Sequence, residues 1–141
     1  MKKIVAGVDE VGRGSLIGPV YAAAVIFKKN IKDKEIIDSK KIKKTKREII
    51  SKYIKKNSIW AIGSASLKEI ENFNILNASL LAMKRAIEKL KIKPNLILID
   101  GNKSPKIKNC LVKTVIKGDQ KIKEISAASI IAKVSRDKLM N

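Results

Sequence analysis

Apolar residues in this chain fall into short continuous runs separated by longer spaced stripes, a pattern that predicts strands alternating with helices. The run over 2–11 (KKIVAGVDEV) predicts a first strand, and VYAAAVIFK over 20–28 a second. Between them Gly12, Gly14, Ser15, Gly18 and Pro19 supply turn chemistry, so a loop or tight hairpin should join an antiparallel pair. A polar excursion over 30–37 and then Asp38-Ser39-Lys40-Lys41 precede a helix predicted over 43–56, with Ile49, Ile50, Tyr53 and Ile54 on one face. SIWAIGSAS over 58–66 predicts a third strand. A short helical turn over 67–73 should lead into a longer helix over 75–90, striped by Leu76, Leu80, Met83, Ile87 and Leu90. Asn74, just ahead of it, suits an N-cap. After Lys93-Pro94, residues 96–99 are apolar throughout, which predicts a buried, parallel strand. A fifth strand over 111–116 and a last helix over 122–139 complete the order. The expected class is α/β: a five-stranded mixed sheet flanked by helices, with a meander of three strands and two more added in parallel.

Composition narrows the chemistry. The 141 residues fit one domain, and 45% hydrophobic content is enough for a packed core. Thirty-two Lys and Arg against 13 Asp and Glu give a formal charge of +19, which favours a polyanionic partner such as nucleic acid. Part of that excess has a second origin: only Arg13, Arg47, Arg85 and Arg136 are arginines, and the abundance of Lys, Ile and Asn also follows from A/T-rich coding. The chain has no histidine and one cysteine, Cys110. That excludes an internal disulfide, Ser-His-Asp or Cys-His catalysis and His-ligated zinc, and it fits a reducing, cytoplasmic setting. Any metal here would be a hard cation held by oxygen. Met1-Lys2-Lys3 looks like the start of a signal peptide, but Asp9 and Glu10 interrupt the apolar stretch almost at once, and no run approaches the ~20 apolar residues of a membrane span.

The stretch over 4–19, IVAGVDEVGRGSLIGP, concentrates the candidate chemistry. Asp9 and Glu10 lie between valines in a strand that reads as buried, where a carboxylate needs a cation, a metal or hydrogen bonds. Gly12-Arg13-Gly14 follows: glycines that free the backbone for close approach, and a planar fork suited to phosphate. The alternative is a strand ending in a glycine turn, with both acids on an exposed edge. Asp100, followed by Gly101, stands just past a buried strand, where open α/β sheets place ligands. In the last helix Ser126, Ser129, Lys133 and Asp137 recur on one face, which would aim Asp137 at the strand ends. Convergence of Asp9, Glu10, Asp100 and Asp137 would demand cations between them. That is the environment of a two-metal phosphodiester site, with ions about 4 Å apart. Neighbours in a regular strand point to opposite faces, so joint use of Asp9 and Glu10 requires a bulge or an approach through the strand end near Gly12.

Taken in order, these motifs resemble the type 2 ribonucleases H, and specifically the ribonuclease HII family. The matching pieces are Val8-Asp9-Glu10-Val11-Gly12-Arg13-Gly14, Gly18-Pro19-Val20, Asp38-Ser39-Lys40-Lys41, Asn74-Ile75-Leu76-Asn77-Ala78, Leu98-Ile99-Asp100-Gly101-Asn102, Lys117-Gly118-Asp119, and the run from Ala127-Ala128-Ser129 through Lys133 to Arg136-Asp137. The resemblance implies a ribonuclease H-like fold over 1–141 and Mg²⁺- or Mn²⁺-dependent hydrolysis of RNA in RNA–DNA hybrids. It also implies incision at single ribonucleotides in duplex DNA, leaving 3′-hydroxyl and 5′-phosphate ends. It maps the family's metal carboxylates onto Asp9, Glu10, Asp100 and Asp137. Gly12, Arg13 and Gly14 look like the loop that reads the ribose 2′-hydroxyl, the natural handle for telling RNA from DNA. Lys40 and Lys41 look like phosphate contacts or a solvated charge pair. Asn74 and Asn77 resemble DNA-strand contacts, with capping an equal explanation for Asn74; Lys133 lines the groove or lies on the surface. An arginine at position 13 favours ribonuclease HII over the related ribonuclease HIII.

The family normally continues past the helix bearing Asp137 into further helices, with a tyrosine that stacks at the RNA–DNA junction. The chain ends at Asn141, so a fragment or a naturally short form is expected. The alternative function is a truncated, non-catalytic nucleic-acid-binding remnant of the same fold, which would bind without turnover. A junction resolvase of the same superfamily is a weaker reading. A monomer with no membrane partner is expected.

Overall fold

A computed structural model of the chain describes residues 3–12, 18–31, 36–37 and 43–140. The polypeptide enters the sheet at its centre. β1 (Val5–Val11) pairs on one side with antiparallel β2 (Val20–Phe27) and on the other with parallel β4 (Leu96–Asp100). β3 (Ser58–Ala65) and β5 (Leu111–Val115) form the edges, giving the order β3-β2-β1-β4-β5. The meander and the two parallel additions expected from the pattern are both present.

Alternation along the strands divides the interior in two. Ala6, Val8, Ala22, Ala24, Ile26, Ile97 and Ile99 pack on the face covered by helix α2 (Leu67–Glu88). Ala23 and Val25 turn to the opposite face, under helices α1 (Lys44–Lys56) and α3 (Lys123–Met140). Two departures from the predicted stripes follow from this packing. On α1 the inward residues are Ser51 and Ile54 with the half-buried Ile50 packed beside them, whereas Ile49 is 68% exposed and Tyr53 also faces outward. On α2 the deepest line is Ala78, Ala82 and Ala86 with Met83 and Ile87, rather than the leucines. The reason is close approach: a Cβ on Gly63 of β3 would fall on the Ala82 carbonyl oxygen and the Ala86 nitrogen, so only small side chains fit between helix and strand.

Helix α2 is two helical segments joined at Asn74, whose φ of 70° and ψ of 168° lie outside the helical region. Asn74 Oδ1 accepts from Asn77 N–H at 2.9 Å, the capping role its position predicts. Ser66 caps the first segment in a reciprocal capping box with Glu69.

Candidate active site

The parallel register that pairs Val8 with Ile99 brings Asp9 and Asp100 side by side at the carboxyl end of the two central strands. Both alternate with residues buried under α2, so both side chains belong to the face under α3. Asp9 is only 5% exposed. Burial raises its carboxyl well above the usual carboxylate range, the negative charge of Asp100 adds to the rise, and a hydrogen bond from Glu10 N–H at 2.8 Å opposes it.

A third acid completes the group. After β5, Lys117 takes a left-handed conformation (φ 55°) and the chain makes one 3-10 turn over Gly118–Gln120. This carries Asp119 to Asp100, where Asp119 N–H donates to Asp100 Oδ1 at 3.2 Å. Gly118 makes the approach possible: a Cβ there would lie 2.6 Å from Ile125 Cδ1, 3.2 Å from Val115 Cβ and 3.5 Å from Asp100 Oδ1. Asp9, Asp100 and Asp119 each present an oxygen, all within 4.8 Å of one another. Three carboxylates at that spacing, one of them buried, repel one another and suit a hard divalent cation.

The other sequence-nominated residues divide as follows. The β1–β2 pairing runs unbroken from Gly7–Val25 to Val11–Tyr21, so no bulge turns Glu10 to the side of Asp9. Glu10 therefore stays outside the three-carboxylate group, although its charge contributes to the raised pKa of Asp9. Asp137 also stays outside it. Helix α3 starts against Gly7 and reaches Gly12 with Arg136, so Asp137 is carried past the level of Asp9. Lys133 is half-buried on the same helix. Gly12 closes β1 with φ +108°. Asn74 and Asn77 are exposed on α2. Arg13, Gly14, Lys40 and Lys41 lie outside the described residues. Asp119 stood in a motif of the resemblance without a role attached; the signal that would have found it is the glycine before it, which lets an acid turn back against a strand end.

The three acids do not line the cavity at the far end of the sheet. This cavity of about 790 Å³, lined by Ile87, Leu90, Ile92, Ile97 and Cys110 with lysines at its rim, lies at the other end of β4.

A family model described as Ribonuclease HII matches residues 6–141. A ribonuclease HII of Pelagibacter ubique is 73% identical over 138 residues, spanning 98% of this chain and 74% of the relative. The chain belongs to the ribonuclease HII family. Solved members of the family share its architecture. The Archaeoglobus fulgidus ribonuclease HII, determined in its complex with PCNA, superposes with a TM-score of 0.82 at 27% identity, covering 96% of this chain and 73% of that one. The Pyrococcus horikoshii ribonuclease H2 does so with a TM-score of 0.81 at 31% identity, covering 97% and 74%. The expected ribonuclease H-like fold and five-stranded mixed sheet are therefore both present, and ribonuclease HII membership makes the chain a metal-dependent endoribonuclease. Among the described residues no helix is long and apolar enough to cross a membrane.

Proposed function

We propose that the chain hydrolyses the RNA strand of RNA–DNA hybrids and incises duplex DNA at single embedded ribonucleotides, leaving 3′-hydroxyl and 5′-phosphate ends. The observation that carries this reading is the convergence of Asp9, Asp100 and Asp119 at the end of the two central strands. In this reading these three hold Mg²⁺ or Mn²⁺, with Glu10 next to them on β1. The donor set is all oxygen, which fits such ions and excludes a thiolate- or imidazole-based site in a chain with one cysteine and no histidine. Bound there, two such ions would supply charge stabilisation and a more acidic water for phosphodiester hydrolysis.

The remaining residues act on the substrate. Gly12, Arg13 and Gly14 contact the ribose at the RNA–DNA junction. Lys40 and Lys41 neutralise phosphates, while Asn74, Asn77 and Lys133 line the duplex groove. The net charge of +19 supports a polyanion on this surface. The chain acts as a monomeric catalytic domain in the cytoplasm. Asp137 serves outside the metal-holding group.

The test is cleavage of a DNA duplex carrying one ribonucleotide, with Mg²⁺ or Mn²⁺, beside an all-DNA duplex and an Asp100→Asn variant. Incision at the ribonucleotide alone, lost by roughly 100-fold or more in the variant, is expected. A folded wild-type chain that binds the duplex in a salt-sensitive way without cutting it would instead support the non-catalytic nucleic-acid-binding reading.

A further inference from the structure

Arg136 is half-buried near the end of α3, one residue before Asp137. Its Nε donates to the Pro19 carbonyl oxygen at 3.3 Å. The same guanidinium lies under Gly12: a Cβ at Gly12 would stand 2.8 Å from Arg136 Nε, 3.3 Å from Arg136 Cδ and 3.1 Å from the Pro19 oxygen. One side chain thus meets both flanks of the segment that leaves β1 at Gly12 and enters β2 after Pro19. Gly12 has φ +108°, so both its conformation and the space above it exclude a larger residue.

The anchor is itself in register with the metal-holding strand. A Cβ on Gly7, two residues before Asp9, would fall on the backbone of Glu124 and Ile125, so α3 begins in backbone contact with β1. From Gly7 to Gly12 is five strand steps, and from Ile125 to Arg136 eleven helix steps; each spans about 16.5 Å. Helix and strand therefore run side by side without splaying, and the packing of α3 fixes the height of Arg136 above Asp9.

We propose that Arg136 is a positioning residue. It holds Gly12 and Pro19 together at a fixed distance from the Asp9–Asp100–Asp119 group, so that the Gly12 backbone meets the ribose in line with the scissile phosphate. This rests on the functional reading above. An arginine suits the place because its Nε and Cδ fill the space beside the bare Cα of Gly12 while the same Nε–H donates to the Pro19 carbonyl. A lysine can donate to the same carbonyl but has no flat group to fill the space under Gly12.

The experiment compares the whole chain with Arg136→Gln and Arg136→Lys in three measurements. Backbone hydrogen exchange at Gly12, Gly18 and Val20 reads the position of the two flanks. Mn²⁺ titration by calorimetry reads the metal group. Fluorescence anisotropy, with Ca²⁺ as the ion, reads affinity for a duplex with one ribonucleotide against the all-DNA duplex. In Arg136→Gln exchange at Gly12, Gly18 and Val20 rises about fivefold or more. Discrimination between the duplexes falls about tenfold, and Mn²⁺ affinity stays within about twofold. Arg136→Lys lies between Gln and wild type. Unchanged exchange overturns the proposal, and so does raised exchange with undiminished discrimination, which would make Arg136 a prop for the fold only. Because none of these readouts needs turnover, a wild-type chain that fails to cut would refute the functional reading while exchange and binding still decide the role of Arg136.

Discussion

At the scale of single residues, what separates the acids is where a strand or helix carries each one, not its chemistry. Asp9 and Asp100 were legible from sequence because each stands at the end of an apolar run. Asp119 was not assigned, because a single 3-10 turn is too short to write a periodic signal. Asp137 was assigned because helical spacing gives a face but not the height along the partner strand. Accordingly, Asp119→Asn should lower kcat by about 100-fold or more, and Asp137→Asn by less than about tenfold, in the single-ribonucleotide assay. The raised carboxyl of Asp9 gives a second expectation. A group whose pKa is higher in the folded than in the unfolded state loses stability as pH rises from the ordinary carboxylate range through the folded value. Without metal, Asp9→Asn should therefore raise Tm at pH 8 more than at pH 4. Equal shifts at both pH values would show that neither burial nor the neighbouring acids raise the Asp9 carboxyl.

Among the elements, α2 shows how local chemistry shapes a bent helix. The break between the predicted segments over 67–73 and 75–90 falls at Asn74, as the sequence pattern indicated. Asn74 holds backbone angles that cost roughly 1–3 kcal/mol in a residue other than glycine. The two segments are tied across the bend: Arg85 on the second meets Glu69 on the first at 2.7 and 2.6 Å and also donates to the Ser64 carbonyl oxygen at 2.8 Å. These bonds to Arg85, with the capping bond to Ser66 N–H, pull the Glu69 carboxyl down to about 2. A depressed acid contributes stability that is full above its ordinary pKa and lost as pH falls through the folded value. The difference in Tm between wild type and Glu69→Gln should thus be present at pH 6 and vanish near pH 2; a difference that persisted there would remove the ion pair as its cause. The tie itself was hidden in the sequence, since residues 16 apart on one helix reveal no contact unless the bend is known. Gly63 belongs to the same scale. Gly63→Ala should destabilise by about 1–3 kcal/mol or more in denaturant unfolding, because the added methyl meets α2 backbone rather than a movable side chain.

For the molecule as a whole, charge and metal give separate expectations. Substrate affinity should fall roughly 100-fold between 50 and 200 mM salt as lysines release phosphate counterions, and a flat response in a binding titration would deny them that part. Divalent cation should raise Tm, since an ion at 100 times its Kd adds about 2.7 kcal/mol, and Asp100→Asn should abolish the rise. The meander and the parallel direction of the last two strands were readable from turn residues and the unbroken apolar run of 96–99, whereas the pairing of β1 with β4 was not, because it joins parts of the chain far apart, as when Asn95 Oδ1 accepts from Ile4 N–H across 91 residues. That pairing has a consequence for the protein's birth on the ribosome. The first strand to be synthesised is the middle of the sheet, and its second neighbour emerges only after β2, α1, β3 and α2 have been made. Until then β1 presents an unpaired edge, the kind of surface on which nascent chains adhere to one another. The acid trio cannot come together until Asp119 has been made, so a chain translated only through β4 carries its positive charge among nucleic acids without yet being able to cut them.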